Sequence, residues 1–116
     1  MSLYKDLVST MLPEGVLEYF ELVDFNKESE RYRLYLEEKQ EVPEEFKGKK
    51  VRANGFMEEI KVHDFPIRDL QVILHIKRRR WLLVDENKKV SRDWNLVAPG
   101  TRMTAEFSAF LKELAG

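Results

Sequence analysis

Four consecutive cations, Lys77 to Arg80, interrupt an otherwise apolar stretch, and they restrict the fold of this chain more than any other feature. The residues before them, 70–76, alternate in the way that a strand with one buried face does. Within the cationic block, neighbouring side chains would point to opposite faces of a strand. One pair of cations would therefore lie over a surface, whereas the other pair must reach an edge or pair with acids.

The stretch 51–84 is predicted to form a β-unit around that strand. Pro66 cannot donate to a central ladder, so the segment 64–69 is predicted to be a turn or an edge. Residues 81–84 predict a further arm, 85–89 a turn, and 90–94 a return along that arm. The side chains predicted to share one face are Phe56, Glu58, Ile60 and Val62 in the first strand, and Val72, Leu74 and Ile76 in the next.

Two helices and a hairpin are predicted before the β-unit. Ser2 is the expected N-cap of the first helix, and Pro13 fits the first position of the second. The hairpin arms are predicted at 21–25 and 31–36, and the charged stretch 37–50 is predicted to be a loop. The apolar stripes expected to face inward are Leu3, Leu7 and Met11 in the first helix, and Val16, Leu17 and Phe20 in the second.

A third helix is predicted at the C-terminus, with Thr104 as its N-cap. Its apolar side chains recur at i, i+3, i+4 and i+7 and form one stripe: Phe107, Phe110, Leu111 and Leu114. The favoured interpretation is that this stripe caps the sheet and closes the core. The alternative is that part of the stripe is a docking surface. The predicted fold class is α+β, with a small antiparallel sheet flanked by N-terminal and C-terminal helices.

The charge of the chain is divided unequally along its length. Residues 1–45 carry 5 Lys or Arg and 12 Asp or Glu, a formal charge of −7, whereas residues 46–116 carry 15 and 9, a charge of +6. We interpret 1–116 as one domain, with an acidic helix and hairpin part (1–45) and a basic part (46–116) made of the β-unit and the third helix. The asymmetry indicates two faces with different partners, or two solvated surfaces that pair with each other, which charge alone favours.

Several function classes receive no support from the residues. The chain has no cysteine, which excludes disulfides and thiolate metal sites. His63 and His75 lie in strand-like runs and are interpreted as satisfied side chains, and no metal-ligand or catalytic motif is found. No apolar run is long enough to cross a bilayer, and the N-terminus lacks the apolar core of a signal peptide. We expect a cytoplasmic protein that is not an enzyme and needs no metal or cofactor.

Basic side chains give the strongest functional signal, because dense cations beside an aromatic suit a phosphate backbone. The alternative is that the charges protect an edge strand against aggregation. If these are surface charges, replacing the three arginines of the block with Ala should leave the chain folded. The candidate DNA-binding residues are Lys77, Arg78, Arg79, Arg80, Trp81, Arg68, Lys49, Lys50, Arg52, Lys88, Lys89, Arg92 and Arg102.

The chain resembles the N-terminal domain of bacterial insertion-sequence transposases of the ISL-three group, and within it the ISAon-type N-terminal region proteins. In that family a D-[FL]-P-I turn leads to an apolar strand and an R-R-R-[FYW] block, and an R-x-T motif later opens a helix. The matching residues here are Asp64-Phe65-Pro66-Ile67, then Arg78-Arg79-Arg80-Trp81, then Arg102 and Thr104. The match covers about residues 55–115.

The resemblance implies a zinc-ribbon-like sheet that has lost its metal. The family domain has two cysteine pairs, and this chain has none. Apolar packing through Leu83, Val90 and Trp94 is expected to replace the metal. Relatives continue into a helix-turn-helix and a DDE nuclease domain, so the resemblance implies the N-terminal piece of a transposase split over two reading frames.

Two functions follow from the resemblance. The first is binding of duplex DNA at transposon ends, with catalysis by a separate DDE chain. The alternative is a protein-interaction module that touches no DNA. Such a module would dock the catalytic chain through the acidic part or the stripe of the third helix, or self-associate as a homodimer.

Overall fold

A computed structural model describes residues 3–96 and 105–115 of the chain as two β-sheets with three α-helices. The helices are α1 (Leu3–Ser9), α2 (Val16–Tyr19) and α3 (Ala105–Ala115). The strands are β1 (Phe20–Lys27), β2 (Arg31–Glu38), β3 (Val51–Phe56), β4 (Ile60–Ile67), β5 (Leu70–Lys77), β6 (Arg79–Leu83) and β7 (Lys88–Ser91). Short 3₁₀-helices lie at Glu44–Phe46 and Trp94–Leu96. The α+β class is therefore confirmed.

The strands form a four-stranded first sheet, in the order β1-β2-β5-β4, and a three-stranded second sheet, in the order β3-β6-β7. The predicted hairpin is confirmed as β1 against β2. The predicted small antiparallel sheet is confirmed for the second sheet, whereas the first sheet is mixed, because β2 and β5 pair in parallel. The chain leaves the first sheet through β3 and returns through β4, and β5 therefore arrives beside β2 pointing the same way. Sequence patterns within single strands do not report this crossing.

One long antiparallel ribbon joins the two sheets. It pairs 51–67 with 70–83, so that Val51 lies opposite Leu83 at one end and Ile67 opposite Leu70 at the other. The ribbon passes from the second sheet to the first at residues 57–59, and Met57 N–H donates there to the Arg78 carbonyl at 2.8 Å. The cationic block thus lies at the crossing between sheets. The predicted strict alternation along it is wrong, because β5 ends before Arg78 and β6 begins after it.

The far end of the ribbon closes in a tight turn, at Arg68 and Asp69, with φ of 49° and 66°. Pro66 lies in β4, which is an edge strand of the first sheet, and the register shifts between Asp64 and Ile67. The prediction that this proline marks a turn or an edge is confirmed, since an edge strand leaves one side of the ladder unpaired.

The main core lies between one face of the first sheet and the helices. All four predicted stripe residues of α3 are buried in it, including Phe110 at 3% exposure. Phe110 meets Phe20 edge-on at 5.8 Å between ring centroids, and Phe20 stacks on Trp94 at 5.2 Å. The favoured interpretation of the stripe is confirmed, and a docking role for it is wrong because the chain itself covers it.

The N-terminal helices are shorter than predicted, and their buried sides differ. Leu7 is 58% exposed, whereas Val8 and Leu12 contact the core. The second helix begins at Val16, after Gly15, rather than at Pro13. Gly15 has a φ of 99°, and a Cβ there would lie 3.1 Å from the Phe107 ring. Because α2 is a single turn, it buries Val16 and leaves its next residue, Leu17, 37% exposed.

Further expectations are corrected or fall outside the described residues. The predicted loop 37–50 starts later, since β2 continues to Glu38. Leu83 and Trp94 do not form one cluster in place of a metal, because Trp94 stacks in the main core. Ser2, Arg102 and Thr104 lie outside the described residues. Within residues 3–96 and 105–115, no helix has both the length and the apolar character needed to cross a membrane.

Candidate nucleic-acid interface

Glu38 holds part of the cationic block inside the molecule. Its side chain is 1% exposed at the end of β2. Oε1 of this carboxylate accepts the Arg79 backbone N–H at 2.8 Å, and the Glu38 carbonyl accepts Arg79 Nε at 3.3 Å. The Arg79 guanidinium lies 4.4 Å from the centre of the Phe56 ring. Arg79 therefore ties β6 to β2 and is not a free surface charge.

Arg92 contacts the same carboxylate from the other side. Its Nε donates to Glu38 Oε2 at 3.1 Å, and Nη2 donates to the Glu41 carbonyl at 3.2 Å. The guanidinium also lies over the rings of Tyr19 and Trp94, at 5.2 and 5.6 Å. Since the Arg92 side chain is only 11% exposed, it acts as a second internal link between the sheets.

The environment of Glu38 alters its proton affinity. Burial raises the pKa of the Glu38 carboxyl above its ordinary value, because desolvation penalises the charged form. The hydrogen bonds and charges of Arg79 and Arg92 lower the pKa and offset part of this effect. The cluster Glu38–Arg79–Arg92 is thus a costly buried arrangement that depends on both arginines remaining in place.

Two further members of the block are also withdrawn from solvent. Trp81 is 2% exposed, so its ring is not available to stack on a base, and its predicted contact role is corrected. Arg78 is half-buried, and its Nη1 donates to the Leu114 carbonyl at 3.5 Å, in the last turn of α3. Among the described residues, Arg78 Nε and Trp81 Nε1 are buried donors without a hydrogen-bond partner.

A different set of cations shares the outer face of the second sheet. The register places Arg52 of β3 and Lys89 of β7 on either side of Leu82 in β6, so the three side chains form one row. Lys50 lies opposite Val84, whose N–H donates to the Lys50 carbonyl at 3.0 Å, and this extends the row by one further pair. We call this surface the basic face and define it by the following residues: Lys50, Arg52, Arg80, Leu82, Val84 and Lys89.

The basic face carries no compensating acid within its strands. The sequences of β3, β6 and β7 contain no Asp or Glu. Lys50, Arg52 and Lys89 are exposed, and no described residue forms an ion pair with them. Arg80 is half-buried, and its Nε donates to the Asn54 carbonyl at 3.2 Å. Three exposed cations therefore concentrate positive charge on one side of a small sheet.

The remaining predicted DNA-binding residues do not join this face. Lys49 pairs with Glu86 at 3.2 Å, and Lys88 lies beside Leu83 on the opposite side of the sheet. Lys77 is exposed at the end of β5, and Arg68 lies in the turn at the far end of the ribbon. The proposed edge-strand role of the block is also wrong, because β6 is the central strand of its sheet.

The two histidines behave differently. His75 is 5% exposed and stacks on Tyr35 at 4.4 Å. Its Nδ1 lies 3.0 Å from Glu59 Oε2, and its Nε2 lies 3.1 Å from Arg33 Nη1. Because Arg33 only donates, Nε2 accepts and Nδ1–H donates, so both ring nitrogens are satisfied as the sequence predicted. His63 is exposed on the edge strand β4.

Glu38 is the important residue that sequence reasoning missed. The signal was present, because Leu34, Leu36 and Glu38 continue one inward alternation along β2. A carboxylate at the end of a buried row, in a chain with four clustered cations, predicts an internal ion pair.

Neither metal-binding groups nor known relatives assign a function to this chain. Within the described ranges, no three His, Asp or Glu side chains form a group that could hold a metal ion. Since the sequence also has no cysteine, the thiolate ligands of a zinc ribbon are missing. No family model, curated protein or solved structure matches this chain.

Proposed function

We propose that this chain is a DNA-binding accessory module of an insertion-sequence transposase whose DDE catalytic domain lies on a separate chain. Its ligand is duplex DNA at the transposon ends, and it acts in the cytoplasm. The chain itself contributes binding and no catalysis. The observation that carries the proposal is the basic face, where Arg52 and Lys89 are exposed on strands that contain no acid and Lys50 is exposed directly before β3.

The order of the motifs supports the same proposal. The Asp64-Phe65-Pro66-Ile67 segment and the Arg78-Arg79-Arg80-Trp81 block lie on the two arms of one ribbon. We interpret the second sheet as a metal-free counterpart of a zinc ribbon. Buried Trp81 and Leu83 stabilise its inner side, where a ribbon would use its metal. The block then positions the basic face and does not itself contact DNA.

The test measures duplex DNA binding by fluorescence anisotropy over a range of salt concentrations. A triple variant, Lys50→Ala, Arg52→Ala and Lys89→Ala, removes the exposed cations of the basic face. If each contacts one phosphate, the slope of log affinity against log salt should become shallower by about 2.7. A matched variant, Lys27→Ala, Lys61→Ala and Lys112→Ala, removes three exposed cations elsewhere and should keep the wild-type slope.

Two outcomes of this comparison would contradict the proposal. Equal loss in both triple variants would show that net charge attracts DNA without a defined face. A wild-type chain with no salt-dependent affinity for duplex DNA would overturn the proposed function. In that case charge on the edge strands β3 and β7 would be left as protection against aggregation.

A protein-interaction module is the second candidate. Leu7, Leu17 and Val23 are exposed aliphatic side chains within the acidic part, at 58%, 37% and 39%. They would dock the catalytic chain or a second copy. Sedimentation velocity of the chain alone tests the homodimer. If the wild-type chain associates but does not bind DNA, and Leu7→Ser with Leu17→Ser abolishes the association, this function is favoured over the first.

A further inference from the structure

We propose that the basic face lies over the major groove of B-form DNA, with β6 along the groove and the cations of β3 and β7 on the phosphates of opposite strands. This inference rests on the proposed function. It names the form of nucleic acid and the orientation, which the positive charge of the face alone does not determine.

The first argument is the spacing of the cations across the second sheet. Paired strands lie about 4.8 Å apart, so β3 and β7, on either side of β6, are about 10 Å apart. The major groove of B-DNA is about 12 Å wide. Arg52 and Lys89 are exposed on the two outer strands, and their long side chains could span to both rims of the groove. Cations on only one β-strand would follow only one phosphate strand.

The second argument is the apolar centre of the face. Leu82 in β6 is half-buried and has the cations of β3 and β7 on either side, and Val84, directly after β6, is 36% exposed. A surface that binds only phosphates has no use for aliphatic side chains at its centre. In the major groove, aliphatic groups contact the methyl group of thymine. Leu82 and Val84 thus face the base edges in this orientation.

The third argument is the fixed shape of the sheet. Arg80 Nε donates to the Asn54 carbonyl, where the register of β3 shifts between Ala53 and Phe56. Such a bulge increases the local right-handed twist of a strand pair. Arg80 is therefore a positioning residue, since its charge holds β3 in a twisted path and leaves phosphate contacts to the outer strands.

The test compares three probes of equal length and matched sequence: duplex DNA, duplex RNA and single-stranded DNA. The major groove of an A-form duplex is deep and narrow, so the face cannot enter it. We expect affinity for duplex DNA at least tenfold above that for duplex RNA at the same salt concentration. Equal affinity for both duplexes would overturn the groove assignment and leave the proposed function standing. No affinity for duplex DNA would overturn the proposed function itself.

A second measurement tests the central strand directly. Replacing thymine with deoxyuridine removes the methyl groups and keeps the charge and duplex form. Affinity of the wild-type chain should fall about fourfold for each methyl group contacted, at about 0.8 kcal/mol per group. Leu82→Ser should reduce this sensitivity, whereas Val23→Ser, at an exposed valine of the first sheet, should retain it in full. A wild-type chain that is insensitive to deoxyuridine would contradict the orientation of Leu82.

Discussion

The two sheets use their charged residues in opposite ways. The first sheet is covered by helices on one face, and on its other face His75 is bonded to both Glu59 and Arg33. The second sheet has three short strands, and its outer face presents cations to solvent without acids in the same strands. The charged residues of the first sheet therefore stabilise the fold, whereas those on the outer face of the second sheet are available to a ligand.

The cluster Glu38–Arg79–Arg92 between the sheets explains why the densest run of cations in the sequence is not the exposed site. Glu38 binds Arg79 and Arg92, and so draws two arginines inward from the second sheet. A buried carboxylate without these partners would be costly, and the arginines without it would be equally so. Charge density along a sequence is thus a poor guide to charge on a surface. The exposed cations of the basic face are Arg52 in β3, Lys89 in β7 and Lys50 directly before β3.

The largest effect is expected in the core of the first sheet. Phe110→Asp should leave the chain unfolded at 25 °C. It removes about 3–5 kcal/mol of packing and also buries a carboxylate without a partner. Circular dichroism and thermal melting measure this. Lys112→Asp, which places the same residue on the exposed side of α3, should remain folded. A cooperative melt for Phe110→Asp would mean that α3 does not close the core.

The next largest loss of stability is expected in the cluster Glu38–Arg79–Arg92. Glu38→Ala should lower the free energy of unfolding by about 3 kcal/mol, because it leaves the Arg92 guanidinium and the Arg79 backbone N–H without their acceptor. The matched change Glu37→Ala, one position earlier in β2, should stay within about 0.5 kcal/mol of wild type. Urea unfolding measures both. Equal midpoints for the two variants would show that the carboxylate of Glu38 does not hold the sheets together.

A smaller effect separates the two kinds of arginine. Arg79→Ala should cost about 1–2 kcal/mol, since it removes a charged hydrogen bond and the contact with Phe56. Arg52→Ala should change stability by less than about 0.5 kcal/mol. DNA affinity should show the reverse order when both variants are folded. A stable Arg79→Ala chain with weakened DNA binding would restore the block as the contact surface.

The earlier expectation for the whole block changes for the same reason. Replacing Arg78, Arg79 and Arg80 together with Ala was expected to leave the fold intact, on the premise that all three are surface charges. All three are half-buried and bonded within the chain. The triple variant should therefore lose stability, and loss of DNA binding in it would not identify a contact.

The smallest expected effect is a pH dependence from Glu38. Its pKa is raised above the ordinary value of 4.5 by burial, so the folded chain holds this proton more tightly than the unfolded chain. The stability from Glu38 is fully present below pH 4.5 and is lost as the pH rises through the raised pKa. Glu38→Gln removes this titration. Thermal melts from pH 4 to 7 should show the stability of wild type relative to Glu38→Gln falling with rising pH.

The opposite trend would contradict the assignment. If wild type gained stability relative to Glu38→Gln as the pH rose, the charges of Arg79 and Arg92 would outweigh desolvation. The pKa of Glu38 would then lie below its ordinary value, and the cluster Glu38–Arg79–Arg92 would stabilise the fold at neutral pH through its ionised carboxylate.

Local patterns were sufficient for most of the elements. Alternation along 70–76 predicted β5, the spacing from Phe107 to Leu114 predicted the buried stripe of α3, and Pro66 predicted an edge. These features depend on neighbours within one turn or one strand. The inward side of α1 was predicted wrongly, because seven residues offer two overlapping apolar stripes and only the rest of the core selects between them.

The sequence by itself determined the hairpin of β1 and β2, the strand β5, the third helix and the excess of cations after residue 45. The predicted strand with Phe56, Glu58, Ile60 and Val62 on one face was wrong, because β3 ends at Phe56 and β4 begins at Ile60. Only the tertiary structure decided that β2 and β5 are parallel and that the densest cations face inward. The physical reason is distance along the chain. Glu38 meets Arg79 across 41 residues and Arg92 across 54, and burial in the fold makes those contacts strong. Local periodicity predicts the strand that ends in Glu38, but it does not predict which arginines this strand contacts in the fold.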